Sequence, residues 1–377
     1  MKRLFLLVML AMALVTAGIA CQGETAPTVI EVEKIVEKTV PVEKIVEKLV
    51  PVEKIVEKAV EVEKIVPADP GSLVIYSGRK ESLVGPIISQ FADVTGIKVD
   101  VKYGKSAALA ATLLEEGSKS PADLYYAQDP GALGTVSSML GKLPTGTLAQ
   151  IPAWAKSSNG EWIGVSGRAR VLVYSPTRVP AADLPTDIYS LTDPKWKGRL
   201  GWAPTNSSLL TMITGMRKEW GDDKTKEWIK GLLANDIKIY PKNTPQVAAV
   251  DAGEIDMGLV NHYYLYRFVS EKGEDFKARN YHLPAGGPGS LVMVSGAGIL
   301  KTAKNKTNAE RFVNFMISKV AQQYLASQIY EYPLVDGVKA SRLLTPMAEI
   351  KKPSINLSDL ADLSGTSAIL KELGALP

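Results

Sequence analysis

The chain has 377 residues, with 44 lysines and arginines, 40 aspartates and glutamates, two histidines and one cysteine. A net charge of +4 is too small to indicate nucleic-acid binding. A single cysteine excludes an internal disulfide or a thiolate metal cluster. Two histidines leave little general-base chemistry near neutral pH, and no G-x-S-x-G, H-E-x-x-H or P-loop motif is present, so we predict that the protein is not an enzyme.

Residues 1–20 have the layout of a bacterial export signal, in which a charged start precedes an apolar run and small residues. The run ends at Cys21 in the tetrapeptide GIAC, which is similar to the lipobox of bacterial lipoproteins, where the cysteine is lipidated. Gly18 replaces the usual aliphatic residue, so cleavage without lipidation stays an alternative. We expect an exported protein, lipid-anchored to the outer face of the cytoplasmic membrane, in a periplasm or at a cell surface.

Residues 21–70 begin with this cysteine and continue with a ten-residue repeat of valine, glutamate, lysine and isoleucine that is interrupted by prolines. Prolines prevent one long helix, and short apolar groups without aromatic residues cannot build a core. We interpret the segment as a tether that holds a folded domain away from the membrane. A self-associating stalk is the alternative, because Val32, Ile35 and Val36 recur with the repeat and would form short helical stripes.

Short apolar strands alternate with helices from Ser72 onwards. The predicted strands cover residues 73–77, 97–103, 122–128, 169–175, 198–204, 237–242 and 255–261, and the predicted helices cover residues 82–96, 107–117, 207–221, 223–236 and 244–254. This alternation predicts an α/β fold with parallel sheets. The remaining length of about 300 residues is enough for two lobes with a ligand cleft between them.

Four polar stretches follow predicted strands, where ligands bind in parallel sheets. They are YSGRKES (residues 76–82), YYAQD (125–129), PTNSSLL (204–210) and NHYYLYR (261–267). The third would begin a helix, and its backbone N–H and hydroxyl groups predict either an anion site or ordinary helix capping. The tyrosines of the fourth are either packing residues or, as phenolates, oxygen ligands for a hard metal ion.

Longer stretches carry a resemblance that covers about residues 72–377. SGRARVLVYS, PKWKGRLGW, KNTPQVAAVDAGEIDMGLVNHYYLYR, GGPGSLVMVSGAGILKTAKN, TGIKVDVKYGKSAALAATLLEEGSKSPADLYYAQD and EYPL resemble the ferric-ion-binding proteins of bacterial ABC transporters. The resemblance implies a type II periplasmic-binding-protein fold, in which two α/β lobes joined by crossing strands close on ligand through a hinge. We expect lobe 1 at residues 71–168 with 294–345, and lobe 2 at 169–293 with 346–377.

The function that the resemblance implies is that of a receptor for ferric iron. Two consecutive tyrosines ligate the iron in that family, and they match Tyr263 and Tyr264. A synergistic anion, such as phosphate, carbonate or citrate, commonly binds beside the iron. The matching anion-binding positions are Asn206, Ser207, Ser208, Asn243, Asn261 and Arg168. An ABC permease pair and an ATPase are the implied partners, and a monomer is expected.

Two positions depart from the family pattern, so the resemblance leaves the ligand open. Lys80 stands where many members have a histidine, and Gln128 stands where many have a glutamate. Gln128 and Glu81 remain as candidates to complete the iron shell. Lys80 and Arg79 would then neutralise a second anion or a chelator such as citrate. The cationic cluster of Arg79, Lys80 and Arg168 instead suits an organic or inorganic anion as the ligand. The alternatives are therefore binding of a small anion or an iron chelate without tyrosine ligation, or a non-transport adhesive lipoprotein.

Three further residues lie beside these positions in the sequence. Tyr266 is expected to pack, because it lies nearly one helical turn from Tyr263. Arg170 is expected to brace the hinge region. His262 is a further candidate ligand, although the neighbouring tyrosines would take the directions that face the cleft.

Overall fold

The structure is a computed structural model that describes residues 69–376. The predicted signal (1–20), Cys21 and the tether up to residue 68 lie outside the described residues, so export, lipid anchoring and self-association of the tether remain predictions. Within residues 69–376, no helix has both the length and the apolar character needed to cross a membrane.

Residues 69–376 form nine strands and eleven α-helices, joined by loops and short 3₁₀ turns. The strands are β1 Ser72–Ser77, β2 Lys98–Tyr103, β3 Leu124–Ala127, β4 Ile163–Tyr174, β5 Leu200–Trp202, β6 Lys238–Ile239, β7 Met257–Asn261, β8 Arg279–Tyr281 and β9 Val292–Ile299. The helices are α1 Glu81–Thr95, α2 Ser106–Glu116, α3 Pro130–Thr135, α4 Thr145–Ala149, α5 Ser207–Trp220, α6 Asp222–Ala234, α7 Asn243–Ala252, α8 Tyr263–Lys272, α9 Lys306–Met316, α10 Lys319–Ser327 and α11 Leu363–Glu372.

The strands form two sheets that share β4. The first sheet has the order β2-β1-β3-β9-β4, and the second has the order β4-β7-β5-β6, with β8 also paired to β4. Residues of β4 up to Ala169 pair with β9, whereas Arg170 and the residues after it pair with β7. Strand β4 therefore passes from one sheet into the other between Ala169 and Arg170, next to the candidate site.

The prediction of parallel sheets holds for only part of each sheet. The pairs β1–β2, β1–β3, β5–β6 and β5–β7 are parallel, as the alternation of strand and helix predicts. Every pair that contains β4 or β9 is antiparallel. Strand β9 enters the first sheet from β8 in the second, so no helical crossover within one sheet fixes its direction.

Helix α1 shows why the local sequence pattern predicts a helix correctly. Five of its apolar residues recur at the spacing of one helix face and are buried: Leu83, Val84, Ile87, Ile88 and Phe91. Gly96 ends the helix with a φ of 71°, in the left-handed region that favours glycine. The observed bounds differ from the predicted range 82–96 by one residue at each end.

Strand β4 is longer than the predicted range 169–175, because its first half contains glycines and serines in place of apolar residues. All of Ile163–Val173 is nevertheless buried. A Cβ atom at Gly164 would lie 2.5 Å from the carbonyl oxygen of Ala155, so the close packing of this segment requires glycine. Strand β6 is shorter than the predicted range 237–242, because it contains only two residues, and both are exposed.

A buried carboxylate connects helices that follow strands of the two different sheets. Asp129 caps α3 by accepting a hydrogen bond from the backbone N–H of Ala132 at 3.0 Å. It also accepts from the hydroxyl of Thr211 at 2.9 Å and from the hydroxyl of Ser207, both in α5. One side chain thus satisfies three donors while it holds α3 against α5.

We expect Asp129→Ala to lower the free energy of unfolding by about 2–4 kcal/mol, because it removes a helix cap and leaves buried hydroxyl donors without their acceptor. Urea denaturation of the two proteins would measure the difference. Asp193→Ala is the matched control, since the exposed side chain of Asp193 caps only a short 3₁₀ turn, and its expected cost is about 1 kcal/mol. Equal costs for the two variants would contradict the role assigned to Asp129.

Candidate metal and anion site

Two adjacent tyrosines begin helix α8 directly after strand β7. Tyr263 is fully buried, and Tyr264 is 4% exposed. Their ring centroids lie 4.3 Å apart with an angle of 32° between the ring planes, so the two phenol rings lie side by side. The end of a strand and the first turn of a helix therefore present two phenolic oxygens from consecutive residues.

The two phenols differ in acidity. Burial raises the pKa of each, but the positive charges of Arg168 and Arg79 bring the pKa of Tyr263 below its ordinary value. The pKa of Tyr264 stays well above its ordinary value, because of burial and then of the neighbouring Tyr263. The two arginines thus favour the deprotonated form of Tyr263, and binding of a strongly acidic cation deprotonates such ligands.

Arg79 reaches the tyrosine pair from the loop after β1. It is buried, and its guanidinium carbon lies 5.8 Å from the ring centroid of Tyr263. Its Nη2 donates to the carboxylate of buried Glu331 at 2.7 Å, and the hydroxyl of Ser166 donates to the other carboxylate oxygen. Burial alone would lower the pKa of Arg79, but Glu331 raises it overall, so Arg79 stays charged. No local sequence pattern indicates Glu331 as the partner of Arg79.

Two more arginines enter the site from the point where β4 changes sheets. Arg168 is fully buried, and none of its three side-chain nitrogens has a hydrogen-bond partner among the described residues. Arg170 donates to the amide oxygen of Asn261 at 3.0 Å, and burial lowers its pKa to about 9. A buried guanidinium without acceptors is costly, so these donors fit an anionic ligand.

The predicted anion loop lies against this group. Asn206 caps helix α5 by accepting from the backbone N–H of Ser208 at 3.1 Å, so ordinary capping does occur here. The hydroxyl oxygen of Ser208 accepts from Gln128 at 3.2 Å and from Asn261 at 3.3 Å. The hydroxyl proton of Ser207 is directed to a carboxylate and not to a ligand. The loop after β3 and the start of α5 therefore meet at Gln128 and Ser208.

Asn243 and Lys80 complete the group on the side of helix α7. Asn243 is 1% exposed, and its amide nitrogen has no partner among residues 69–376. The ammonium of Lys80 donates to the hydroxyl of Thr244 at 3.2 Å and lies 5.3 Å from the ring centroid of Tyr264. Burial lowers the pKa of Lys80. Lys80 therefore borders the tyrosine pair, and Asn243 lies at the start of the neighbouring helix α7.

A cavity of about 540 Å³ opens beside these residues. Tyr264, Gln128, Asn206, Ser207 and Lys80 are among the residues that line it. A second cavity, of about 420 Å³, shares Tyr264 and Lys80 with the first. Glu81 lines neither cavity, because it lies exposed on the first turn of α1. The structure thus brings Lys80, Gln128, Asn206 and Ser207 together beside Tyr264, whereas Glu81 is not among them.

His262 has no free nitrogen with which to bind a metal. Its Nδ1 accepts from the backbone N–H of Ala169 at 3.1 Å, so its Nε2 carries the proton and donates to the carbonyl oxygen of Tyr330 at 2.8 Å. Burial lowers its pKa to about 3. The interpretation of His262 as a candidate ligand is therefore wrong, and the ring instead connects β4 to the segment after α10.

Tyr126, in strand β3, is a further phenol near the site that the sequence alone does not single out. It is fully buried, and its hydroxyl has no hydrogen-bond partner within the described part of the chain. Burial raises its pKa, and the charges of Arg79 and Arg168 lower it in part. No group of three or more histidines, cysteines, aspartates and glutamates in residues 69–376 is placed to hold a metal ion.

The fold and the site together define a class of protein, the two-lobed type II periplasmic binding proteins. The chain belongs to the family of bacterial extracellular solute-binding proteins, whose profile matches residues 126–353. It is 34% identical over 310 residues to the "Major ferric iron-binding protein" of Neisseria meningitidis serogroup B, with coverage of 80% of this chain and 92% of that relative.

Two solved structures extend the comparison. The iron-bound HitA of Pseudomonas aeruginosa is 37% identical with a TM-score of 0.77, and the match covers 81% of this chain and 100% of that one. A Trichodesmium protein (IdiA, FutA) in complex with iron and citrate is 31% identical with a TM-score of 0.70, and the match covers 81% and 99% of the two chains. Both structures, which align with 81% of this chain, therefore contain bound iron.

Proposed function

We propose that this protein is the extracytoplasmic receptor of an ABC importer, which binds ferric iron in the cleft and delivers it to the permease. The observation that carries the proposal is the buried pair Tyr263 and Tyr264, held beside the charges of Arg79 and Arg168. Phenolate oxygens suit a hard trivalent ion, and nearby positive charge favours their deprotonated form. Relatives that are a ferric iron-binding protein and an iron-bound structure support iron as the cargo.

A synergistic anion would complete the iron shell. Arg168 supplies three buried N–H-bearing nitrogens, and Asn243 supplies a buried amide nitrogen, all without partners in the described residues. Phosphate, carbonate and citrate each offer oxygens that accept such hydrogen bonds. The amide oxygen of Gln128 is a candidate for the remaining position, because its nitrogen already donates to Ser208. The exposed position of Glu81 makes it the weakest of the predicted ligands.

Hinge motion between the lobes fits this assignment. We propose lobe 1 at residues 71–168 with 294–345, and lobe 2 at 169–293 with 346–377. The change of pairing partner within β4, between Ala169 and Arg170, lies one residue from this boundary and supports it. Ligand would close the lobes, and the closed form would dock on the permease and its ATPase. Export, lipidation at Cys21 and the tether would keep the receptor at the membrane surface as a monomer.

A second candidate is the binding of a small anion, or of an iron chelate, without coordination by tyrosine. The observation in its favour is Arg168, because a buried guanidinium without an acceptor fits an anion whether or not iron is present. This candidate shares the fold and the transport role, and it differs only in the cargo. An adhesive role would not explain why the buried donors of Arg168 lack acceptors in the described residues.

Titration of the full chain with ferric iron tests the proposal. We expect a visible tyrosinate-to-iron charge-transfer band when phosphate, bicarbonate or citrate is present. We also expect the free energy of unfolding to rise by about 2.7 kcal/mol at a ligand concentration of about 100 Kd. Iron alone and each anion alone are the controls. Stabilisation by an anion alone, without a band under any condition, would support the second candidate instead.

A further inference from the structure

A fully buried ion pair lies beside the tyrosine pair, and its carboxylate, Glu331, belongs to none of the predicted ligand or anion positions. Nη2 of Arg79 donates to Glu331 at 2.7 Å, and the two side chains are 1% and 0% exposed. In every other ion pair found in residues 69–376, both side chains are at least 14% exposed. Apolar residues often stabilise a fold as well as a buried ion pair does, so stability alone does not account for this one.

The backbone holds Glu331 in place from both sides. Tyr330, which precedes it, has a φ of 61°, in the left-handed region that is uncommon for residues with a side chain. The carbonyl oxygen of Tyr330 accepts a hydrogen bond from His262 at 2.8 Å. Tyr332, which follows, makes two backbone hydrogen bonds with Gly167, at 2.7 and 2.9 Å. A strained backbone conformation persists where surrounding contacts over-determine it, so the position of Glu331 is fixed.

Both carboxylate oxygens of Glu331 are hydrogen-bonded within the fold. One accepts from Arg79, and the hydroxyl of Ser166 donates to the other. The hydroxyl oxygen of Ser166 lies 2.6 Å from that of Ser295, and both serines are fully buried. The carboxylate is thus oriented toward Arg79 and the serines, and Glu331 acts on the site through Arg79.

Arg79 connects this carboxylate to the tyrosine pair. Its guanidinium carbon lies 5.8 Å from the ring centroid of Tyr263, and its Nε has no partner within the described part of the chain. Glu331 is the one acceptor found for the Arg79 side chain in residues 69–376. Without Glu331, a buried guanidinium beside Tyr263 would therefore keep its charge uncompensated and lose the contact that fixes its position.

The charge balance around the tyrosines affects which oxidation state of iron is favoured. Of the three buried arginines Arg79, Arg168 and Arg170, only Arg79 has a carboxylate as its partner in the described residues. Glu331 thus reduces three local positive charges to two. A ferric ion carries one more positive charge than a ferrous ion, so uncompensated positive charge nearby disfavours the ferric state more strongly.

We propose that Glu331 is a positioning residue of the iron site, which holds Arg79 beside Tyr263 and offsets its charge, so that the bound iron is kept in the ferric state. This inference rests on the proposed function and deepens it. It assigns the retention of ferric iron in part to a carboxylate that does not contact the ion, because partners beyond the ligands orient them and tune the metal.

The test is the reduction potential of iron bound to the full chain, loaded with ferric iron and phosphate and followed by the charge-transfer band during electrochemical reduction. E331Q keeps the shape of Glu331 and removes its charge. We expect E331Q to lower the ratio of ferric to ferrous affinity by about tenfold, the lower end of the effects of such outer partners. This change corresponds to a potential about 59 mV more positive. E331Q/R79Q removes both charges of the pair, so its ratio should return to within about twofold of the native ratio.

The matched control is D256N, which breaks an ion pair at the end of β7 opposite to the tyrosines. Asp256 accepts from Arg178 and Arg199, so D256N should destabilise the fold and leave the ratio unchanged. An unchanged ratio in E331Q, with a normal band in the native chain, would overturn this inference alone. An equal shift in D256N would also overturn it, because loss of stability would then be sufficient to move the potential.

The double variant also covers the case in which E331Q does not fold, since removal of one partner of a buried ion pair is strongly destabilising. Folding restored in E331Q/R79Q, with a native ratio, would support the inference. Failure of both variants to fold would overturn it, because Glu331 would then be required independently of Arg79. Absence of a band in the native chain with phosphate, bicarbonate and citrate would overturn the iron assignment itself, and this inference with it.

Discussion

Replacing Tyr263 or Tyr264 with phenylalanine should abolish the charge-transfer band and weaken iron binding by more than about 100-fold. Loss of outer-shell partners already costs about 10–100-fold in metal affinity, and a direct ligand contributes more. Phenylalanine keeps the packing of two rings that are almost fully buried. Without iron, the free energy of unfolding should therefore change by no more than about 1 kcal/mol. Titration with ferric citrate, followed by visible absorption, measures the effect.

Tyr266→Phe is the matched control for both variants. Tyr266 lies in the same helix, but its hydroxyl donates to the backbone carbonyl of Leu343 at 2.9 Å and does not face the tyrosine pair. Its removal should leave the band and the affinity unchanged. Retention of the band in the double variant Tyr263→Phe/Tyr264→Phe would show that other residues coordinate the iron, and Tyr126 would then be the next phenol to replace.

Features that depend on neighbouring residues could be predicted from the sequence. Helix α1 and strand β1 follow from apolar spacing, and the position of Tyr263 after a strand follows from the apolar run before it. The resemblance to ferric-ion-binding proteins added the two-lobed fold and the order of the site residues. Strand β4 was only half predicted, because close packing requires small residues such as Gly164 there.

Pairing between distant residues could not be predicted. Arg79 and Glu331 are 252 positions apart in the sequence, and nothing in either local pattern indicates an ion pair. The sequence also does not show that both nitrogens of His262 are used in hydrogen bonds, to the backbone of Ala169 and of Tyr330. Periodicity shows which face of an element is buried, but it does not show which partner that face meets. The electrostatics of the site are set by such distant partners.

Replacing Arg168 with methionine should stabilise the protein and impair its function at the same time. The guanidinium of Arg168 is buried, and none of its nitrogens has a partner within residues 69–376, so its desolvation is not offset by hydrogen bonds. Replacing buried charges with apolar groups of similar volume stabilises proteins by about 1–4 kcal/mol in favourable cases. We expect the ligand-free variant to gain about 1–3 kcal/mol in free energy of unfolding, measured by urea denaturation.

The same variant is expected to bind its ligand more weakly, although it is more stable without ligand. Arg168 lowers the pKa of Tyr263 and offers its donors to the anion, so Arg168→Met should weaken iron binding with any anion by at least about tenfold. Arg178→Met is the control, because Arg178 is bonded to Asp256 and to two backbone carbonyls, and its loss should only destabilise. A destabilised Arg168→Met with normal affinity would mean that Arg168 is a structural residue. A gain in stability with a loss of affinity would mean that the ligand-free fold retains an unfavourable buried charge because the anion requires it.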